Sequence, residues 1–262
     1  MGFVVAVLAL TSVSAFLRYR ATAPLAKAPD HGTEFVVEAD FSQTPANPGM
    51  ALLEKALQRR ISGIQARALI EPLSASKLRI VLPAAESNIV DEIANNISHG
   101  GSLEFRLVND NSEEILKNHE PIPPGYEVLQ CREEIAGQKL PERLVVKKTA
   151  LDGLAGNFVQ SAWMDYGSMD EPQIEFQMNT NATARFAEVT TKYAPDATTG
   201  ASHRIAIILD GQLYSAPRIE EPIVSGACMI SGNFTPAEAR RLAQLLSDPL
   251  PAPVKIIETN SF

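Results

Sequence analysis

The feature that most constrains this chain is a repeated change of hydrophobic period between residues 34 and 108. Phe35, Val37, Ala39 and Phe41 alternate with Val36, Glu38 and Asp40, the two-residue repeat of a strand. Asn47-Pro48 then offers an N-cap and a first-turn proline. Met50, Leu53, Leu57 and Ile61 follow at helical spacing, and Gly63 closes the segment. Residues 66–71 form a weaker second strand, and Leu78, Ile80 and Leu82 mark a third. Ile89, Ile93 and Ile97 make a second helical stripe closed by Gly100-Gly101, and Leu103, Phe105 and Leu107 alternate as a fourth strand. The order β-α-β-β-α-β predicts a split βαβ, ferredoxin-like unit over residues 34–110, an antiparallel sheet with both helices on one face.

Beyond it, residues 111–153 read as a connection broken by Pro121, Pro123, Pro124 and Gly125, with short strands near 126–130 and 143–149. A second α+β unit is expected over 154–262. Ile174, Phe176 and Met178 alternate as a strand, and Ala182, Phe186, Val189 and Tyr193 share a helix face. Asp210-Gly211 between two apolar runs predicts a tight hairpin, because such a turn needs positive φ. Thr235 followed by Pro236 and Glu238 is a capping box opening a helix with Ala239, Leu242, Leu245 and Leu246 inward. Pro249, Pro251 and Pro253 stop that helix, and 254–257 ends the unit as a strand. The fold class is therefore α+β: a ferredoxin-like unit followed by a second α/β sandwich subdomain.

Hydrophobic residues are 45% of the chain and charged residues 21%, a globular and not a disordered composition. The net charge of −8, with no basic run, argues against nucleic acid as a partner, since phosphate recognition rests on clustered Lys and Arg. Cys131 and Cys228 are the two cysteines; they exclude a Cys-based zinc cluster, a CxxC redox motif and a disulfide-dense scaffold, and leave one bridge open. Residues 1–17 carry no charge and are followed by Arg18 and Arg20. Residues 1–20 are read as a membrane anchor or signal segment, with Val13-Ser14-Ala15 as a small-residue cleavage site, and 21–33 as a linker. An uncleaved anchor, a signal peptide and an anchor with a clipped start all stay open. The two arginines after the span favour the opposite orientation by the positive-inside rule.

The search for chemistry is nearly empty. His31, His99, His119 and His203 are not spaced as metal ligands, and GxSxG, P-loop and dinucleotide fingerprints are absent. Ser74-x-x-Lys77 matches a Ser/Lys catalytic spacing but falls in a turn between two strands. Glu113-Glu114, Glu133-Glu134 and Asp170-Glu171 read as solvated loop carboxylates. No catalytic residue, metal site or cofactor is expected, and the chain is read as a non-enzyme. One stretch stands apart: Trp163, Met164, Tyr166 and Met169, placed on a loop between two strands, are candidates for an adaptable polypeptide-binding surface, with core packing as the competing reading.

Several motifs together carry a resemblance. Gly32-Thr33-Glu34-Phe35-Val36, Arg59-Arg60-Ile61, Leu78-Arg79-Ile80-Val81-Leu82-Pro83 and Leu103-Glu104-Phe105-Arg106-Leu107-Val108 occur in order. The second half adds 206–217 (AIILDGQLYSAP), Ser231-Gly232-Asn233-Phe234-Thr235 and Pro249-Leu250-Pro251-Ala252-Pro253-Val254. Over residues 32–258 the chain resembles the first periplasmic domain of the SecD family, or of the SecD half of a SecDF fusion. The resemblance implies an inner-membrane protein with one N-terminal span and a periplasmic base and head, followed by five further spans. It also implies partners: unfolded preprotein, the Sec translocon, a SecF-like membrane subunit, and the membrane through the N-terminal segment. Proton flow through the later spans drives pulling in that family, and these spans lie past Phe262. Residues 34–108 correspond to the first part of the family domain and 145–258 to the head-containing part. The implied function is a periplasmic module that holds polypeptide during export. The alternative is a stand-alone envelope domain that docks on a membrane complex without handling preprotein.

Overall fold

The computed structural model describes residues 24–42, 49–64, 66–85, 87–131, 142–152, 154–195, 203–231 and 234–262. The segment read as an anchor or signal, residues 1–20, lies outside them, as do Asn47-Pro48 and Glu133-Glu134. Among the described residues no helix is long and apolar enough to cross a membrane. In chain order the elements are β1 (Gly32–Ala39), α1 (Met50–Gly63), β2 (Leu69–Pro72), β3 (Lys77–Pro83), α2 (Ser87–Ser98), β4 (Leu103–Leu107) and α3 (Ser112–Lys117). There follow β5 (Tyr126–Gln130), β6 (Arg143–Lys147), β7 (Ala155–Gly156), β8 (Val159–Tyr166), β9 (Pro172–Met178) and α4 (Thr180–Lys192). The chain closes with β10 (Ile205–Leu209), β11 (Gln212–Ser215), β12 (Ala227–Ser231), α5 (Pro236–Ser247) and β13 (Val254–Ser261). Two compact units result: the described residues up to Gly101 with Asp248–Phe262, and Ser102–Ser247.

In the first unit the sheet order is β13-β1-β3-β2, antiparallel throughout. Alternation sorts its faces. Phe35, Val37, Leu78, Ile80, Leu82 and Ile70 turn toward Leu53, Leu57 and Ile61 of α1 and Ile93 and Ile97 of α2, forming one core. The arrangement is the expected β-α-β-β-α-β order with one correction. The fourth strand is β13, from the far end of the chain, and not residues 103–107. That segment is a strand, but β4 pairs with β10 and β7 in the other unit. Alternation identifies a strand and its buried face; it carries no information about the partner. Thus the unit does not run contiguously from 34 to 110. Its last strand arrives after an insertion, and β1 and β13 are locked at their ends, where the Gly32 and Phe262 N–H groups each donate to the other's carbonyl at 3.0 and 3.1 Å. Position 32 has to be glycine, because a Cβ there would sit 1.9 Å from the Leu82 carbonyl oxygen.

Where the chain leaves and re-enters this unit, a single side chain holds both crossings. Arg60 is 0% exposed. Its Nε donates to the Asp248 carbonyl at 2.8 Å, and its terminal nitrogens donate to the carbonyls of Asn96 (2.8 Å), His99 and Gly100 (2.6 Å). These last three are carbonyls at and just beyond the C-terminus of α2, the negative end of the helix, so the buried charge sits where the backbone best stabilises it. The Leu250 N–H also donates to the Gly100 carbonyl, at 2.7 Å. Next door, Arg59 forms a bidentate pair with Asp248, but it is 59% exposed on its side chain. Replacing Arg60 with Met should destabilise this unit by about 3–5 kcal/mol, because the carbonyls of Asn96, His99 and Asp248 would lose the donor they face. Arg60→Lys should fare little better, since an ammonium cannot span the same fork. Arg59→Ala should cost less than about 1 kcal/mol. Urea denaturation of the three variants checks this ordering.

The second unit contains two sheets and a hairpin. The first sheet is ordered β11-β10-β4-β7, the second β12-β9-β8, and β5 pairs with β6. The middle strand β10 (IAIIL) is buried at every position. Ile205, Ile207 and Leu209 join Phe105, Ile174, Phe176, Phe186, Leu242 and Leu246 in the larger core. Ala206 and Ile208 turn the other way, toward Cys131, Leu144, Val146 and Leu213. A continuous apolar run is what a strand buried on both faces requires. Residues 111–153, read as a connection, are therefore partly structural: the β5–β6 hairpin closes this second core. Helix α3 was not foreseen; Glu113 and Glu114 lie in its first turn, where carboxylates suit the helix dipole, and not in a loop. The Asp210-Gly211 turn is confirmed, with φ of 50° and 77°. So is the capping box, in which Glu238 N–H donates to Thr235 Oγ1 at 3.2 Å and Thr235 N–H to Glu238 Oε2 at 2.9 Å.

Both cysteines are buried, in the two different cores of this unit. Cys131 Sγ donates to the Tyr214 carbonyl at 2.9 Å. Burial pushes the Cys228 thiol up to about 12, far from the thiolate range in which cysteine reacts. A water-soluble thiol reagent should leave both unmodified in the native chain and label both once denaturant unfolds it, as read by mass spectrometry.

Candidate polypeptide-binding surface

The four residues singled out in the sequence occupy one hairpin but not one surface. Trp163, Met164 and Tyr166 lie on β8 and not on a loop; Met169 lies in the turn that follows. A polar residue every few positions (Gln160, Asp165) and Gly167 obscured the strand, although its two-residue repeat is present. The strand pairing separates neighbours: Met164 packs against the larger core with Ala162, whereas Trp163 and Asp165 belong to the other side of the sheet. Tyr166 and Met169 are exposed at the hairpin end, by 47% and 77%. The turn is built, not loose. Gly167 N–H donates to the Glu171 carbonyl at 2.8 Å, Asp170 N–H to the Gly167 carbonyl at 3.1 Å, and Met169 N–H to Glu171 Oε2 at 2.8 Å. Asp170 takes φ of 61°, a conformation Asp tolerates better than most residues.

Sequence reasoning missed Glu175. It sits mid-way along β9, on the side away from Ile174 and Phe176, between Trp163 on β8 and Met229 on β12. It is only 5% exposed. Gln173 Nε2 donates to its Oε1 at 3.1 Å. Burial pushes its carboxyl above the ordinary range, the nearby Asp165 charge adds to this, and the Gln173 and Trp163 side chains act against it. The available signal was alternation itself: Gln173, Glu175 and Gln177 fill one face of a strand whose other face is core. Because the folded-state pKa is raised, the ionised carboxylate opposes folding at neutral pH, and this cost disappears as pH falls through that pKa toward the unfolded value. Glu175→Gln should therefore melt higher than wild type at pH 7, with the difference vanishing near about pH 4, where both side chains are neutral. Calorimetric scans across pH check the crossover.

The free side of β8 is partly closed. Ser247, the last residue of α5, uses one hydroxyl to accept from Ala162 N–H and donate to the Ala162 carbonyl, both at 2.8 Å. An added strand cannot use those groups. Elsewhere in this unit, a cleft of about 630 Å³ is lined by Asn157, Phe158, Asn179 and Arg185 among others, and Arg185 is already paired with Glu188 at 3.0 Å and Asp152 at 3.9 Å. Among the described residues no group of three or more His, Cys, Asp or Glu is placed to hold a metal ion. Ser74 Oγ accepts from Lys77 N–H at 3.1 Å, closing the turn between β2 and β3 as the sequence reading held.

Comparison with known proteins matches the sequence and the mixed helix-and-sheet fold to one class, the SecDF periplasmic domains. Residues 127–252 match the family model described as SecDF, P1 head subdomain. Protein translocase subunit SecD of Rickettsia bellii is 35% identical over 173 residues, covering 65% of this chain and 30% of the relative. The SecD subunit of Dictyoglomus turgidum is 31% identical over 176 residues, covering 66% and 41%. A crystal structure of SecDF in a super-membrane-facing form superposes with a TM-score of 0.66 at 25% identity, covering 88% of this chain and 30% of that one. A second, of a membrane component SecDF that enhances protein export, gives 0.63 at 25% identity, covering 87% of this chain and all of that one. The chain is similar to the SecD family, and the likeness is to its first periplasmic domain. It spans 30% to 41% of the length of these curated relatives.

Proposed function

We propose that this chain is the polypeptide-holding periplasmic part of a SecD-like accessory subunit of the Sec preprotein translocase. The observation that carries the reading is the exposed hairpin end, Tyr166 and Met169, within the segment that matches a SecDF P1 head. A flexible thioether on a hydrogen-bonded turn and an amphipathic ring at the adjoining strand end can touch many sequences without selecting one. Residues 1–20 anchor it or direct its export, and the Sec translocon and a SecF-like membrane subunit are its standing partners. With Ala162 blocked on the β8 edge, contact is made through side chains and not by strand addition at that point. Affinity is low, as holding during export requires release. The function is binding, without bond-making chemistry.

Replacing Tyr166 and Met169 together with Ser should weaken binding of a permanently unfolded polypeptide by about tenfold, from the apolar area withdrawn, with little change in melting temperature. Fluorescence anisotropy measures the first and calorimetry the second. In cells, a photo-reactive side chain at position 169 should cross-link to a stalled export precursor. Cross-links confined to folded membrane proteins would instead support a docking domain that never handles preprotein.

A further inference from the structure

The hairpin end has a second property that its apolar side chains do not explain. Sequence 149–184, which builds β7, β8 and β9, contains no Lys, Arg or His, and neither does 219–239, which contains β12. Yet Asp165, Asp170, Glu171 and Glu175 all lie on or between these strands. Elsewhere among the described residues, most carboxylates on or beside the strands have a basic partner, Glu258 on β13 being an exception. Glu34 and Glu71 pair with Arg79, Glu104 and Glu127 with Arg106, and Glu142 with Arg204. Among the described residues none of the four hairpin carboxylates has a cationic partner. Helix α5 carries Arg240 and Arg241, but it packs on the opposite face, through Ala239, Leu242 and Leu246.

Glu175 adds an independent argument. A carboxylate that is nineteen-twentieths buried normally has a cation or several donors; this one has the amide of Gln173 and the indole of Trp163 beside it. The hairpin is thus apolar at its end, negative around it, and uncompensated from within the fold.

We infer that this hairpin end selects extended polypeptide segments in which apolar side chains are interspersed with Lys or Arg. The proposal rests on the holding function above and adds its selectivity. Tyr166 and Met169 take the apolar side chains, while Asp165 and Asp170 attract the cations and disfavour acidic segments. Charge at a rim sets partner choice and association rate more than total affinity. An anionic membrane surface does not fit, because the same carboxylates repel it.

The test uses the full chain in a nonionic detergent and three fluorescent unfolded peptides of equal length and leucine content, carrying Lys, Gln or Glu at the same positions. The Lys peptide should bind about tenfold more tightly than the Glu peptide at low salt, with the Gln peptide between them, and the gap should close by about 0.5 M salt. D165N/D170N should reduce the Lys-to-Glu ratio by about threefold or more while leaving the Gln peptide unchanged, which also shows that the variant is folded. D170N alone, at an exposed position whose positive φ suits Asn, should move the ratio in the same direction. Equal binding of all three peptides, or a ratio that neither variant moves, would overturn the charge selectivity and leave the holding function standing. Failure of every peptide to bind would remove the holding function itself, and the selectivity with it.

Discussion

A buried guanidinium is costly to place, and in this chain the cost is met by backbone. Arg60 donates to carbonyls on both sides of the interruption in the first unit: Asn96, His99 and Gly100 before it, Asp248 after it. The rest of that unit depends on this arrangement. Its sheet is incomplete until β13 returns, and β13 can pair with β1 only if the chain comes back beside the end of α2. Hydrophobic burial alone would not fix that point of return, because it is non-directional. Four hydrogen bonds from one planar group do fix it, since the fork geometry of arginine tolerates little displacement. The neighbouring Arg59–Asp248 pair shares the location but, being exposed, adds mainly local order.

This explains what could be read from the sequence and what could not. Period and punctuation located nearly every element of the first unit: the alternation in β1 and β3, the stripes in α1 and α2, and the glycines that end both helices. The identity of the fourth strand was hidden because pairing is a tertiary property. Residues 103–107 and 254–261 are both good strands; the first pairs with β10 and β7, the second with β1 at the return that Arg60 holds. A trace of this was present. Leu53, Ala56, Leu57 and Ile61 define the buried face of α1, and position 60 falls on it, so an arginine there implied a buried charge needing partners.

In the second unit, local rules with strict stereochemical demands survived best. The Asp210-Gly211 hairpin and the Thr235–Glu238 capping box were legible because each satisfies its own backbone groups within a few residues. What failed was the assignment of Trp163 and Met164 to a loop. Strands on an exposed sheet edge carry polar residues on one side, and a polar interruption in sequence looks the same whether it marks a loop or an outer face. Glu175 was missed for the related reason that alternation places it outward, where carboxylates are expected to be solvated. Its burial comes from its place on the central strand of its sheet, between Trp163 and Met229, which period alone cannot predict.

The same contrast bears on function. A site that performs chemistry gathers polar groups and satisfies them, so that reactive atoms are held in place. Here the well-satisfied polar groups, Arg60, Arg106 and Arg204, hold the fold together. Four carboxylates that lack a cationic partner lie at the β8–β9 hairpin beside two exposed side chains. A surface that must take up and release many polypeptides has reason to stay unsatisfied by its own chain. Carboxylates paired internally would offer nothing to a passing cation, and a buried Met169 would offer nothing to a passing leucine. The turn between Gly167 and Glu171 supplies the complement to this, since its backbone hydrogen bonds favour one conformation of the hairpin end and so reduce the entropy lost on binding.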